Sequence, residues 1–137
     1  MLIQSNSVAE TAEIAAEFSA RLVKKEQGVV LFYGAMGAGK TTFISQVIKK
    51  INPKIKTASP TFSIINQYAE NIFHVDLYRI NDEAELQNTD FYDIVSGQNF
   101  VFIEWAEKFG NPKLYDNLIK VEIEVKGDGS RVFNITD

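Results

Sequence analysis

The sequence predicts an α/β fold with a mixed, mainly central sheet flanked by helices and closed by a C-terminal β-hairpin. Three observations predict it. Residues 29–33 (VVLFY) and 99–104 (NFVFIE) are short apolar runs of β-formers, the pattern of strands covered on both faces. Apolar residues recur at helical spacing in two other stretches, at Ile14, Phe18 and Leu22, and at Phe43, Ile44, Val47 and Ile48. Residues 118–125 alternate apolar and polar, turn at Gly127-Asp128-Gly129, and return over 131–135 as an antiparallel strand.

Taken in order, Ser5 or Ser7 can cap a helix over residues 9–25, which Gln27-Gly28 breaks. The strand 29–33 leads into a glycine-rich loop, 34–39. A helix over 41–50 follows and stops at Asn52-Pro53. Residues 57–61 read as a loop. Residues 62–68 and 72–77 read as two strands joined at Glu70-Asn71, a plausible hairpin. Short helices are expected over 81–87, with acidic residues early, and over 91–95. Strand 99–104 and the closing hairpin complete a single domain over 1–137.

Composition bounds the function. At 45% hydrophobic and 23% charged, the chain can bury one core. Without cysteine it has no disulfide framework and no thiolate zinc site. A net charge of -4 argues against a free-standing nucleic-acid binder. The lysines at 49, 50, 54 and 56 could approach a bound RNA beside partners, but a solvated helix end is the plainer reading. The N-terminal stretch lacks a secretory pattern and no window is apolar enough to span a membrane, so a cytoplasmic protein is expected.

The sharpest motif is G-x-x-x-x-G-K-[ST], met by Gly34, Gly39, Lys40 and Thr41 between a buried strand and a helix. Glycines let backbone amides close around a phosphate, and the helix adds its N-terminal amides and positive dipole end. Lys40 reaches the β- and γ-phosphates, the Thr41 hydroxyl ligates magnesium, and Thr42 contacts the α-phosphate or the loop. The motif thus predicts a P-loop site for ATP or GTP with Mg2+.

Such a site needs an acid at the end of a neighbouring strand. Asp76 and Glu104 both qualify, and both are also ordinary strand ends. Ser59-Pro60-Thr61-Phe62 occupies the position of a γ-phosphate switch and fits a β-turn equally well. His74, the one histidine, reads as a structural residue more readily than as a ligand, and its shared face with Asp76 favours a hydrogen bond between them. Arg79 can act on phosphate or pair with a carboxylate. Trp105 can serve the core, a stack on a base or a docking surface.

Four ordered segments, GAMGAGKTTF, SPTFSIINQY, HVDLYRI and IEW, resemble the TsaE (YjeE) family, and the likeness runs over essentially the whole chain. The family is the ATPase component of bacterial tRNA threonylcarbamoyladenosine biosynthesis. The resemblance implies an ATP–magnesium site. Lys40 and the amides of Gly37, Ala38, Gly39, Thr41 and Thr42 would hold phosphates, and Thr41 and Glu104 would ligate the metal. Asp76 would lie near the γ-phosphate and assist hydrolysis or sense the metal shell, so Asp76, Lys40 and Glu104 form the implied catalytic set. Ser59 and Thr61 would belong to a switch loop, and Trp105 to the ATPase or partner-coupling surface. Thr11, in the pattern Ser7-x-x-x-Thr11, would lie near the base, and Arg131 near the nucleotide. The implied partners are a TsaD-like catalytic subunit and its TsaB-like paralogue, with tRNA met indirectly and weak hydrolysis by the chain alone. Ala35-Met36 departs from the family's usual acidic residue and Leu, and residues 88–98 match loosely.

Two other readings share the loop. A small-molecule kinase would need an arginine-rich lid and an acceptor pocket, whereas the chain has three arginines, Arg21, Arg79 and Arg131. A GTP switch would need a guanine-reading loop, and Asn111-Pro112-Lys113 lacks the following Asp.

Overall fold

The computed structural model describes residues 1–35, 37–56, 64–108 and 118–137. Seven strands form one sheet in the order β1-β7-β6-β2-β5-β4-β3. They are β1 (Leu2–Ser5), β2 (Gly28–Tyr33), β3 (Ile65–Ala69), β4 (Ile72–Asp76), β5 (Phe100–Glu104), β6 (Leu118–Val125) and β7 (Arg131–Thr136). The apolar runs β2 and β5 lie side by side and parallel, with β6 parallel on the other flank of β2 and β4 parallel to β5. β3 pairs antiparallel with β4 as the expected hairpin, and β7 antiparallel with β6. The sheet is therefore mixed, as predicted.

The helices are α1 (Val8–Lys25), α2 (Lys40–Ile51), α3 (Glu83–Gln87) and α4 (Phe91–Ser96), with a 3₁₀ turn at Ala106–Lys108. Ser7 caps α1 by accepting from the Glu10 amide at 3.1 Å. The helix ends on Glu26 in the left-handed region, φ 62°, one residue before the expected break. The Asn52 amide returns to the Ile48 carbonyl at 2.9 Å to close α2, with Pro53 just beyond.

Because side chains alternate along a strand, β2 serves two cores. Val30 and Phe32 face α1 and α2 together with Phe102 and Val121. Val29 and Leu31 face α3, α4 and the 3₁₀ turn with Val101 and Ile103. Phe43 of α2 is the hub of the first core, with ring centroids 6.0 Å from Phe18, 6.1 Å from Phe32 and 5.0 Å from Phe133.

Strand β1 is the element that the sequence reading missed. It pairs with β7 from Leu2↔Asn134 to Ser5↔Arg131. Four residues at a sheet edge give no usable periodicity, and the partner lies at the other end of the chain. No helix among the described residues is long and apolar enough to cross a membrane. Lys49, Lys50, Lys54 and Lys56 are all exposed, as a solvated helix end requires.

Candidate nucleotide site

β2 ends at Tyr33, and the glycine loop carries the chain from it into α2 at Lys40. Two glycines make that path possible. A Cβ on Gly34, where φ is 149°, would stand 2.6 Å from the Ile123 carbonyl oxygen. Gly39 caps α2 at φ 99°, with Arg131 Nε 3.4 Å from where its Cβ would be. Arg131 in turn donates from Nε to the Ala38 carbonyl at 3.0 Å, tying β7 to the loop.

Lys40 is only 5% exposed. Its Nζ donates to the Gly34 carbonyl at 2.7 Å and stands 4.5 Å from the centroid of the Trp105 ring. The Thr41 hydroxyl donates to Glu104, at 2.9 Å from Oε1 and 3.1 Å from Oε2. Strand register explains the reach. Phe32 and Asp76 both stand opposite Glu104 on the neighbouring strands, so Glu104 points to the α2 side of the sheet at the end of β5.

Glu104 is buried at 4% exposure, and His74 behind it at 3%. His74 Nε2 lies 2.6 Å from Glu104 Oε2. This corrects the expected His74–Asp76 pair. His74 stands opposite Phe102, which makes Glu104 its diagonal neighbour across the parallel ladder. Asp76 instead accepts from the Tyr78 amide at 3.0 Å. Burial pushes the Glu104 carboxyl up. The bond and charge of His74, the Thr41 bond and the Lys40 charge outweigh burial and hold it below the ordinary carboxylate value.

A cleft of about 420 Å³ opens over these groups. Gly37, Gly39, Lys40, Thr41 and Thr42 line it with Asp76, Tyr78, Glu104, Trp105 and Arg131. The Ala38 side chain is buried beneath the loop. Thr11 is not in the cleft lining: it sits in the first turn of α1, bonded to Ser5 Oγ at 2.6 Å and to the Ser7 carbonyl at 3.2 Å. Ser59 and Thr61, and the Asn111-Pro112-Lys113 stretch, lie outside the described residues. Trp105 packs partly on the second core and lines the cleft. Its backbone is left-handed, φ 58°. Tyr78, which the sequence reading gave no role, packs against it with centroids 5.0 Å apart and the rings tilted by 49°, and Lys108 donates to the Tyr78 carbonyl.

The donor set suits one hard cation. Magnesium takes one or two protein oxygens and fills its other positions from water and phosphate. A hydroxyl and a carboxylate in contact at a helix N-terminus meet that need. Among the described residues, no group of three or more His, Asp or Glu could hold a metal unaided.

Fold and cleft define the class: a mixed-sheet α/β domain with a glycine loop between its central strand and the following helix. A family model described as "Threonylcarbamoyl adenosine biosynthesis protein TsaE" matches residues 5–133. The tRNA threonylcarbamoyladenosine biosynthesis protein TsaE of Rickettsia bellii (strain RML369-C) is 35% identical over 136 residues, covering 96% of this chain and 92% of that protein. Its counterpart from Aquifex aeolicus (strain VF5) is 34% identical over 113 residues, 79% of this chain and 77% of that one. The crystal structure of Bacillus subtilus YdiB shares the fold, with a TM-score of 0.69, 22% identity, and coverage of 98% of this chain and 83% of that one. The chain belongs to the TsaE family.

Proposed function

We propose that this chain is the ATP-binding and ATP-hydrolysing subunit of tRNA threonylcarbamoyladenosine biosynthesis. On this reading it works in the cytoplasm with a TsaD-like catalytic subunit and a TsaB-like paralogue. One observation carries the reading: Lys40, Thr41 and Glu104 converge on a single cleft at the N-terminus of α2, in a chain of the TsaE family.

Each residue has a task there. The loop amides and Lys40 bind the β- and γ-phosphates, and Lys40 exchanges its bond to Gly34 for them. Thr41 and Glu104 hold Mg2+, which when bound offsets phosphate charge. The Thr41 hydrogen goes to Glu104, which leaves the hydroxyl lone pairs for the metal. Asp76, opposite Glu104 at the strand ends, orients or deprotonates the attacking water. Arg131 braces the loop through Ala38. Trp105 covers Lys40 and couples the site to partners. Thr11 at the base and Ser59 and Thr61 as a switch complete the assignment.

ATP hydrolysis by the purified protein, alone and with both partner subunits, tests this. Slow turnover that rises on mixing is the expected result. No response to partners, with phosphate transferred instead to a metabolite in a panel, would favour a small-molecule kinase.

A further inference from the structure

His74 is the buried titratable group that the assignment above leaves without a task. It does not line the cleft, yet it makes the shortest bond to the group that does. We infer that His74 is a positioning residue, whose Nε2–H holds Glu104 Oε2 and leaves Oε1 to serve the cation. The inference rests on the proposed ATP–magnesium reading.

Three observations carry it. First, an ionised carboxylate only accepts, so the 2.6 Å contact requires the hydrogen on His74 Nε2. Second, the two Glu104 oxygens are unequal. Thr41 supplies a single hydrogen shared between them, and His74 supplies a second to Oε2 alone. Third, the pair is buried, on the same side of the sheet as Ile72, Phe100 and Phe102, with Asn66 opposite His74 on β3. Buried ion-bearing pairs there are commonly less stable than apolar residues of like volume. Packing alone would not favour an imidazole at this place. A donor behind a metal-binding carboxylate, which fixes its orientation, gives the residue a reason to be there.

The test uses the full chain, Mg2+ and a non-hydrolysable ATP analogue. Calorimetry measures analogue affinity with and without magnesium for the wild type, His74→Phe, His74→Gln and Glu104→Gln. In His74→Phe, the affinity gained from magnesium should fall about tenfold or more, with metal-free affinity unchanged. His74→Gln, which keeps a side-chain N–H, should recover most of that gain. A folded His74→Phe protein with the whole magnesium gain intact overturns the inference.

Should His74→Phe not fold, the wild type still decides. His74 is the one histidine, so its ring nitrogens are unambiguous in a long-range 1H–15N spectrum. Nε2 should carry hydrogen, and its resonance should move more with magnesium and analogue together than with analogue alone. A bare Nε2, or a resonance indifferent to magnesium, overturns the assignment. A wild type that gains no affinity from magnesium overturns the parent reading and this inference together. A gain lost in Glu104→Gln but kept in His74→Phe overturns this inference alone.

Discussion

Lys40 keeps its charge on the Gly34 carbonyl and the Trp105 ring, from which the proposed nucleotide would have to draw it. Removing it should cost at least about 100-fold in ATP turnover, since one charged donor to the transferring group is lost. Normal hydrolysis by Lys40→Ala would refute the site. Trp105 offers a stability test at the same scale. A non-glycine residue in the left-handed region costs about 1–2 kcal/mol, and the chain-entropy cost of glycine is about 0.5–1 kcal/mol. Both Trp105→Ala and Trp105→Gly remove the ring, but only glycine relieves the backbone. Trp105→Gly should therefore be the more stable of the two by about 0.5–1 kcal/mol in urea unfolding. The reverse order would show that the left-handed turn is unstrained. Lys40 and Thr41 were legible from sequence because the glycine motif is a local signal, whereas strand ends offered Asp76 and Glu104 alike and the structure brings Glu104 to the Thr41 hydroxyl. The His74–Glu104 bond was not, because strand register chooses between partners that look equally near along the chain.

Elements were legible in proportion to their burial. β2 and β5 announced themselves as unbroken apolar runs, and α1 and α2 through periodic apolar faces. β1 gave no such signal, since its pairing partner β7 is contributed from far along the chain. The packing of α2 on the sheet turns on Phe43, which is fully buried among three other rings. Phe43→Ala should cost about 3–5 kcal/mol, read as a lowered denaturant midpoint. A loss below about 1 kcal/mol would mean that the rings repack. β7 is also held to α1 beyond the sheet, through Asp137 and Arg21 at 2.9 Å and Asp137 and Lys25 at 3.5 Å. Slight burial raises the Asp137 carboxyl, but the charges and bonds of Arg21 and Lys25 win and hold it below 3.8. A depressed carboxyl stabilises above its unfolded value and ceases to as pH falls through the folded one. Asp137→Asn should thus cost no more than about 0.5 kcal/mol at neutral pH, and nothing well below pH 3.8. A cost that persists in acid would point to packing instead of charge.

At the scale of the molecule, one sheet runs from β1 to β3 with α1 and α2 covering one face and α3 and α4 the other. The cleft sits at the C-terminal ends of the parallel strands β2, β4 and β5 and the start of β7, so the site inherits its geometry from the ladder. Melting followed by circular dichroism and by imidazole NMR should therefore coincide, and separated transitions would show that the site loosens on its own. One further consequence follows from the ammonium resting on the indole. Trp105 is the only tryptophan in the chain, so its emission is the site's own optical signal. A phosphate that draws Lys40 off the ring replaces a cation at the π-face with a different field. Colour and quantum yield should shift as nucleotide binds, giving a label-free titration in which Lys40→Ala leaves the unliganded emission already displaced.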